Sequence, residues 1–351
     1  MRLRGYSNYF AGKVIKEVID DFRNTKDANL KQKIWAYRKG FLSDKIARYG
    51  LNNENYKYYM PDFDYYKLHP INGNWSKWID DKLSIKYLLY PFNEYLPEYY
   101  FLIKDKKILK LMDLPKDYNP DLESVIKLLK RKGALALKLV SGSKGVGFYK
   151  ISFKNNKFFL NDEELLSDEF IRFLDNLDGY ILTEYILAHT DIRKVYSASP
   201  NAIRVGVFND NGPPEIFGAF IRFGTKKSGL IEHAIAGGVF CGINIKDGTL
   251  FKPKRYHGEQ TIDCPNHPDT GIAIKGKIPH WEHIKNIIQD IGNYVPQLKY
   301  IGYDIVITEH GFKILEINSH QSLTNMQPFY PLLQNDKIKN FFVSLNHKKN
   351  I

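Results

Sequence analysis

Residues 301–318 can fold as little other than a β-hairpin. Ile301-Gly302-Tyr303-Asp304-Ile305-Val306-Ile307-Thr308 and Phe312-Lys313-Ile314-Leu315-Glu316-Ile317-Asn318 are two β-prone runs joined by Glu309-His310-Gly311. The linker predicts a three-residue loop with glycine in the left-handed position. Such a loop pairs Thr308 with Phe312 and sets Asp304 opposite Glu316. Because side chains alternate with period two, Asn318 then points to the same face as Glu316. Two carboxylates and an amide oxygen on one face suit a hard divalent cation, and Mg²⁺ that keeps part of its water shell usually arrives with a phosphate. The same strands would also serve as an edge hairpin with a polar outer face. A two-residue loop would shift the register by one and separate the carboxylates.

At 351 residues, with 43% hydrophobic and 26% charged residues, the chain can bury a sizeable core in more than one lobe. No apolar run approaches the length of a membrane span. Met1-Arg2-Leu3-Arg4-Gly5 leads into a charged amphipathic stretch and not into a signal-peptide core. The two cysteines, Cys241 and Cys264, imply no disulfide framework, so a cytoplasmic location is expected. A formal charge of +12 and a pI of about 9.3 fit nucleic acid, an anionic membrane surface or acidic small molecules. Residues 1–60 already hold 13 Lys+Arg against 6 Asp+Glu. There is no zinc-finger spacing and no RNP1-like aromatic pattern, so no nucleic-acid partner is expected. A composition rich in Lys, Asn, Ile and Tyr also yields a basic chain by itself.

Along the chain, residues 10–50 read as helical, with an apolar stripe of Val14, Ile15, Val18, Ile19 and Phe22 and a short capped helix from Ser43 to Gly50. Residues 51–78 read as an irregular aromatic connector. Asp80-Asp81 opens a helix through Leu89, and a strand and turn follow at Tyr99–Leu111. Asn119-Pro120 predicts an N-cap with Pro at the first helical position, and Gly133 closes that helix. Strands are expected at 134–140, 148–153, 157–160, 180–184, 202–208, 215–223 and 230–240. Ser167 is expected to cap a helix to Leu177, residues 252–280 to be looped, and 281–294 to be helical. The mixture predicts an α+β protein and not a doubly wound parallel sheet.

Two stretches look built for anions. Ala136-Leu137-Lys138-Leu139-Val140-Ser141-Gly142-Ser143-Lys144-Gly145-Val146-Gly147 is a strand, a glycine turn and a return strand. Glycines let backbone N–H groups approach phosphate oxygens. No Gly-Lys-Ser/Thr follows, so it is not a P-loop, and no helix follows to suit a dinucleotide turn. A lysine inside an apolar strand, as Lys138 is, is costly to bury without an anionic partner; a lysine on the solvent face of the strand would carry no such meaning. Arg204 and Arg222 repeat the pattern in Asn201-Ala202-Ile203-Arg204-Val205 and Ala219-Phe220-Ile221-Arg222-Phe223. Arginine suits bidentate recognition of phosphate or carboxylate, although each could instead be a surface strand residue. Cys264-Pro265-Asn266-His267 has ligand-like spacing, but no paired second half follows to make a zinc site. His320 either faces substrate or caps its strand.

The order of these elements resembles the ATP-grasp superfamily across roughly residues 76–330. Asp81-Lys82-Leu83-Ser84-Ile85-Lys86-Tyr87-Leu88-Leu89, ending at Leu96-Pro97, resembles the lysine-bearing helix that begins the nucleotide site. Lys138 with Ser141, Gly142, Gly145 and Gly147 resembles the second lysine and the phosphate lid. Glu184-Tyr185-Ile186 resembles the hinge that holds adenine and ribose, and Asn201-Ala202-Ile203-Arg204 the arginine strand facing the γ-phosphate. Asp304, Glu316 and Asn318 resemble the magnesium ligands. His189, Ala236-Gly237-Gly238, His267-Pro268-Asp269-Thr270-Gly271 and Gly302-Tyr303-Asp304-Ile305 are similar to the sugar-transfer-associated branch, found with bacterial surface-polysaccharide genes.

That resemblance implies an α+β ATP-grasp fold, two α+β lobes with ATP between them, and a largely helical N-terminal region. It divides the chain into an N-terminal region 1–75, a first lobe 76–185 with the nucleotide lid, and a second lobe 186–351 with the metal and substrate. It implies ATP and Mg²⁺ as cofactors and an amide-forming carboxylate–amine ligase working through an acyl phosphate. Its substrates would be a small-molecule or glycan-linked carboxylate and an amine, in capsule or other surface-polysaccharide biosynthesis. Lys82 and Lys138 would hold phosphates, Arg204 the transferring group and Arg222 the acceptor carboxylate. Phosphotransfer to a hydroxyl needs the same ATP grip. A non-catalytic basic module contacting a membrane surface or polysaccharide-assembly enzymes is the other reading.

Overall fold

The computed structural model describes residues 8–142, 146–229 and 232–349. The chain falls into two compact units, one of residues 1–77, 189–312 and 316–351, the other of residues 78–188 and 313–315.

The N-terminal part of the first unit is helical: α1 (Asn8–Asn24), α2 (Leu30–Arg38), α3 (Asp44–Tyr49) and α4 (Asp62–Leu68). Asn29 and Gln32 form a capping box at the start of α2, and Gly50, at φ +64°, closes α3 in the left-handed conformation. The expected irregular connector 51–78 therefore contains a helix, α4. Its apolar residues Phe63, Tyr65 and Leu68 are buried, so tertiary packing overrides a sequence dense in tyrosine and proline.

The second unit runs through α5 (Lys82–Leu88), β1 (Tyr99–Lys104), β2 (Lys107–Lys110), α6 (Leu122–Lys132), β3 (Ala134–Leu139), β4 (Tyr149–Lys154), β5 (Lys157–Leu160), β6 (Glu163–Leu165), α7 (Ser167–Asp175) and β7 (Tyr180–Glu184). Its strands form one antiparallel sheet in the order β2-β1-β7-β3-β4-β5-β6. On α6, Val125, Leu128 and Leu129 recur at helical spacing and are fully buried against Leu135, Leu137 and Leu182. Each such side chain contributes about 1.5–3 kcal/mol. The cap of α6 is Asp121, whose carboxylate accepts from the Ser124 N–H at 2.7 Å, and not the expected Asn119. The Asn119 N–H instead donates to Ser124 Oγ, one step before the helix. Ser167 is likewise the first residue of α7 and not its cap.

The chain then returns to the first unit with α8 (Thr190–Val195), β8 (Ile203–Phe208), β9 (Glu215–Phe223), β10 (Val239–Ile243), β11 (Leu250–His257), β12 (Gln260–Asp263), α9 (Trp281–Tyr294), β13 (Tyr300–Thr308), β14 (Gly311–Asn318) and α10 (Asp336–Lys349). Its sheet runs β12-β11-β10-β9-β8-β13-β14. The expected loop at 252–280 holds most of β11 and all of β12, and the strand expected at 230–240 is β10, beginning only at Val239. A core of Phe208, Phe217, Phe220, Phe240 and Tyr300 is closed by Tyr65 and Leu68 of α4 and by Ile338, Phe341 and Phe342 of α10. Amide side chains fasten the N-terminal part to this core. Asn72 donates to the Tyr300 carbonyl at 2.8 Å and accepts from its N–H at 2.9 Å, as a neighbouring strand residue would. Gln327 does the same for the backbone of Met60. Among the described residues, no helix is long and apolar enough to cross a membrane.

Candidate active site

Strand pairing places Arg204 of β8 directly opposite Asp304 of β13. Arg204 pairs on its other side with Phe220 of β9, so Arg222, two residues further along β9, shares its face. Arg204 donates from Nε and Nη2 to the two oxygens of Asp304, both at 2.8 Å, in the bidentate fork that fixes a guanidinium plane. Arg222 Nη2 adds a third bond, 2.9 Å to Asp304 Oδ1. Asn318 Nδ2 lies 3.4 Å from Asp304 Oδ2, and Glu316 is close enough for its charge to act on Arg204. Four of the five residues singled out in this unit are thus joined around one carboxylate, with Glu316 within electrostatic reach of Arg204. Burial alone would raise the Asp304 carboxyl; Arg204 and Arg222 outweigh it and hold the group below the usual carboxylate range.

The hairpin carrying Asp304 and Asn318 differs from expectation. Glu309-His310 forms a two-residue turn, and Gly311, at φ +159°, is the first residue of β14 and not a left-handed loop residue. Glu309 is held from outside: its carboxylate accepts from both the N–H and the hydroxyl of Thr190 at the start of α8. The expected three-residue loop that would set Asp304 opposite Glu316 is therefore absent, while Asn318 Nδ2 still reaches Asp304 Oδ2.

The donor types at this face fit a hard divalent cation. The two oxygens of Asp304 offer about four lone-pair sites, and Arg204, Arg222 and Asn318 engage all of them. A cation taking Asp304 as a ligand therefore displaces at least one of these bonds. Among the described residues, no three His, Cys, Asp or Glu side chains gather into a metal-holding group.

Glu232, which the sequence reading passed over, belongs to this cluster. It is 8% exposed and accepts from the Ala202 N–H at 2.9 Å. The same oxygen lies 3.9 Å from Arg222 Nε. Among the described residues, neither its second oxygen, Oε1, nor Arg222 Nε finds a hydrogen-bond partner. Burial pushes the Glu232 carboxyl up to about 7, against the pull of Arg222. Its signal was a glutamate at the end of Leu230-Ile231, the same pattern that singled out Lys138.

In the other unit, Lys82 is the first residue of α5, capped by Asp81, and its Nζ donates to the Gly142 carbonyl. Lys138 sits on β3 opposite Ile181 of β7. Ser141 is exposed. A Cβ on Gly142 would lie 2.8 Å from Leu139 Cβ, and one on Gly147, at φ +71°, would lie 2.6 Å from Leu139 Cδ1. Both positions therefore call for glycine where they approach Leu139. Gly145 lies outside the described residues. Glu184 exchanges hydrogen bonds with Glu98 at the end of β7 and stands 3.9 Å from Lys313 Nζ. Tyr185 lies beneath Lys150 Nζ, 5.2 Å from its ring centre, and Ile186 is buried. Lys86, one turn after Lys82, was also missed. It is 1% exposed and donates to Asp113 Oδ2 and to the Pro97 carbonyl, both at 2.7 Å. Burial, outweighing Asp113, lowers its pKa.

Other candidates resolve as framework. The ring of His320 is half-buried among Tyr65, Tyr66 and His69, and desolvation depresses its pKa to about 3. His189 caps α8 by accepting from the Asp191 N–H. His267 bonds the Gly224 carbonyl at 2.7 Å and stacks on Tyr196, and Cys264 Sγ donates to the Asn266 carbonyl.

Among solved structures, the chain is similar to D-alanine–D-alanine ligase from Bacillus anthracis, at 12% identity and TM-score 0.38 over 77% of this chain and 69% of that one. It is similar to the ATP-grasp ligase PsnB complexed with minimal precursor, Mg and ADP, at 14% identity and TM-score 0.38 over 80% and 61%. It is also similar to the ADP complex of purK, N5-carboxyaminoimidazole ribonucleotide synthetase, at 10% identity and TM-score 0.42 over 75% and 52%. The chain thus spans less than two thirds of the length of PsnB and of purK. No curated protein matches it. The family described as sugar-transfer associated ATP-grasp matches residues 64–332, more than half of the 351. The chain belongs to the sugar-transfer-associated ATP-grasp family.

Proposed function

We propose that the protein is an ATP- and Mg²⁺-dependent ligase that activates a carboxylate as an acyl phosphate and joins it to an amine, on a sugar acid of a surface polysaccharide or its precursor. The observation that carries this reading is the pair of partly buried guanidinium groups, Arg204 and Arg222, oriented by one carboxylate on the hairpin that also bears Glu316 and Asn318. Two fixed cations of this kind stabilise charge as it develops on a transferring phosphoryl group and cost no reorganisation at the moment of reaction. Lys82 and Lys138 hold ATP phosphates, and the backbone of the 141–147 turn approaches them. Glu184, Tyr185 and Ile186 hold the nucleoside. Asp304, Glu316 and Asn318 supply the oxygen donors for Mg²⁺, which, when bound, neutralises phosphate charge. Arg204 steadies the transferring group and then the tetrahedral intermediate. Arg222 meets the acceptor carboxylate. No nucleophilic side chain is required.

ADP release screened over carboxylate and amine pairs tests the activity. Glu316→Gln and Lys138→Ala are expected to lose ATP turnover while keeping the parent circular dichroism. Undiminished release by either variant overturns the assignment. Hydroxylamine yields a hydroxamate only from an acyl phosphate. ADP release with a hydroxyl acceptor and no hydroxamate assigns phosphotransfer instead.

A further inference from the structure

The apolar arc of α1 is wider than the core that covers it. Val14, Val18, Asp21 and Thr25 form the inward seam. Val14 and Val18 pack with Leu42, Phe63 and Tyr66. Asp21 is locked by bonds from Thr25, Tyr37 and Ser43. These bonds fix the rotation of the helix. Ile15, Ile19 and Phe22, at helical spacing one step round the axis, are left 43%, 44% and 52% exposed.

The next helix also exposes apolar side chains. Ala36 of α2 faces inward, while Leu30 and Ile34 are 59% and 44% exposed. Lys33 Nζ bonds the Phe22 carbonyl at 2.7 Å and lies over the Phe22 ring, which holds α2 against that end of α1. Five of the seventeen large hydrophobic side chains exposed among the described residues thus fall between residues 15 and 34, a concentration that scattered surface residues would not produce. Cations dominate the exposed charges around them: Lys16, Arg23, Lys26, Lys31 and Arg38 against Asp20 and Asp27.

We infer that the α1–α2 face is a peripheral docking surface for an anionic lipid bilayer. Apolar side chains interleaved with exposed lysine and arginine are the pattern of helices that lie in a membrane interface, where the apolar strip enters the acyl boundary and the cations meet lipid phosphates. A protein partner, including a second copy, suits the face less well, because lysine is depleted at the cores of protein interfaces. The charge balance of the whole chain, +12, favours the same surface.

Flotation of the full chain with phosphatidylcholine vesicles, with and without phosphatidylglycerol, tests this. The chain is expected to float with the anionic vesicles and to remain behind with the neutral ones. Ile19→Asp with Phe22→Asp should lower partitioning by at least about tenfold. Lys16→Glu and Lys26→Glu should each lower it by at least about fivefold and make what binding remains less salt-sensitive. All these positions are exposed, and unchanged circular dichroism and ADP release separate loss of docking from loss of fold. Equal recovery with both vesicle types overturns the inference, as does unchanged partitioning of the apolar variant. A concentration-dependent dimer abolished by Phe22→Asp also overturns it and assigns the face to a second copy.

Discussion

The first unit buries two ionic clusters, and they are finished differently. Around Lys45, two cations meet two anions: Lys45 lies 2.8 Å from Asp44 and 3.7 Å from Asp62, and Arg48 bonds Asp44 at 2.7 Å while its guanidinium covers the Tyr256 ring. Around Asp304, two arginines converge on one carboxylate, and a second, Glu232, stands beside them with an oxygen unsatisfied among the described residues. The Lys45 cluster is closed on itself by compensating charge. Among the described residues each cluster leaves a buried guanidinium N–H without a partner, Arg48 Nη1 in the first and Arg222 Nε in the second, but only the Asp304 cluster also leaves a carboxylate oxygen so, Glu232 Oε1.

The sharpest way to break this contrast is to remove the central charge of each cluster. Asp304→Asn and Lys45→Met should each cost about 3–5 kcal/mol, because like charges are left buried without their partner. Thermal melts read that loss. Only the Asp304 variant should lose ADP release when assayed well below its midpoint. A Lys45 variant equally dead per folded molecule would erase the distinction. Arg204→Lys comes next. It keeps the charge and removes the fork, so ADP release should fall about 10²–10³-fold, as for loss of a preorganised transition-state donor. The melting midpoint should move far less, and a large drop with normal turnover would recast Arg204 as structural.

The smallest effect concerns Glu232. Its folded pKa is raised from 4.5 to about 7. Below the unfolded value both states are protonated and the group contributes nothing. As pH rises towards the folded value, the unfolded chain has released its proton while the folded one still holds it, so stability falls, and it levels off above about 7. Glu232→Gln removes that slope. Its gain in thermal midpoint over the parent should therefore grow from acid to mildly alkaline pH, towards the order of 3 kcal/mol. A gain that shrinks with pH would contradict the burial assigned to this carboxyl.

The Asp304 cluster was largely legible because a charged residue inside an apolar strand is conspicuous: Arg204, Arg222 and Asp304 each interrupt a β-prone run. Lys86 left no such mark, since one of two lysines on a short helix does not show that its neighbour will be Asp113. Strands β11 and β12 were invisible because Lys252, Pro253, Lys254 and Arg255 erase the alternation that a half-buried strand shows, and both lie towards one edge of their sheet. The two-residue hairpin turn escaped because Thr190, more than a hundred residues earlier, holds Glu309. Local chemistry proposed a glycine loop and a distant contact overruled it. The role of α4 was hidden for the same reason: Tyr65 bonds Tyr300 and the Gln321 carbonyl, partners that no window of sequence brings together.

Those long-range amide clasps also bear on how the chain is made. Asn72 waits for Tyr300, 228 residues later, and Met60 for Gln327, 267 residues later. At about 5–20 residues per second of synthesis, the first four helices spend on the order of 10–50 s on the ribosome without the sheet they are built to cover. The side chains that pack on that sheet, Met60, Tyr65, Leu68 and Ile71, are open to wrong partners throughout that interval. The protein's yield in a cell should therefore respond to chaperone capacity during translation.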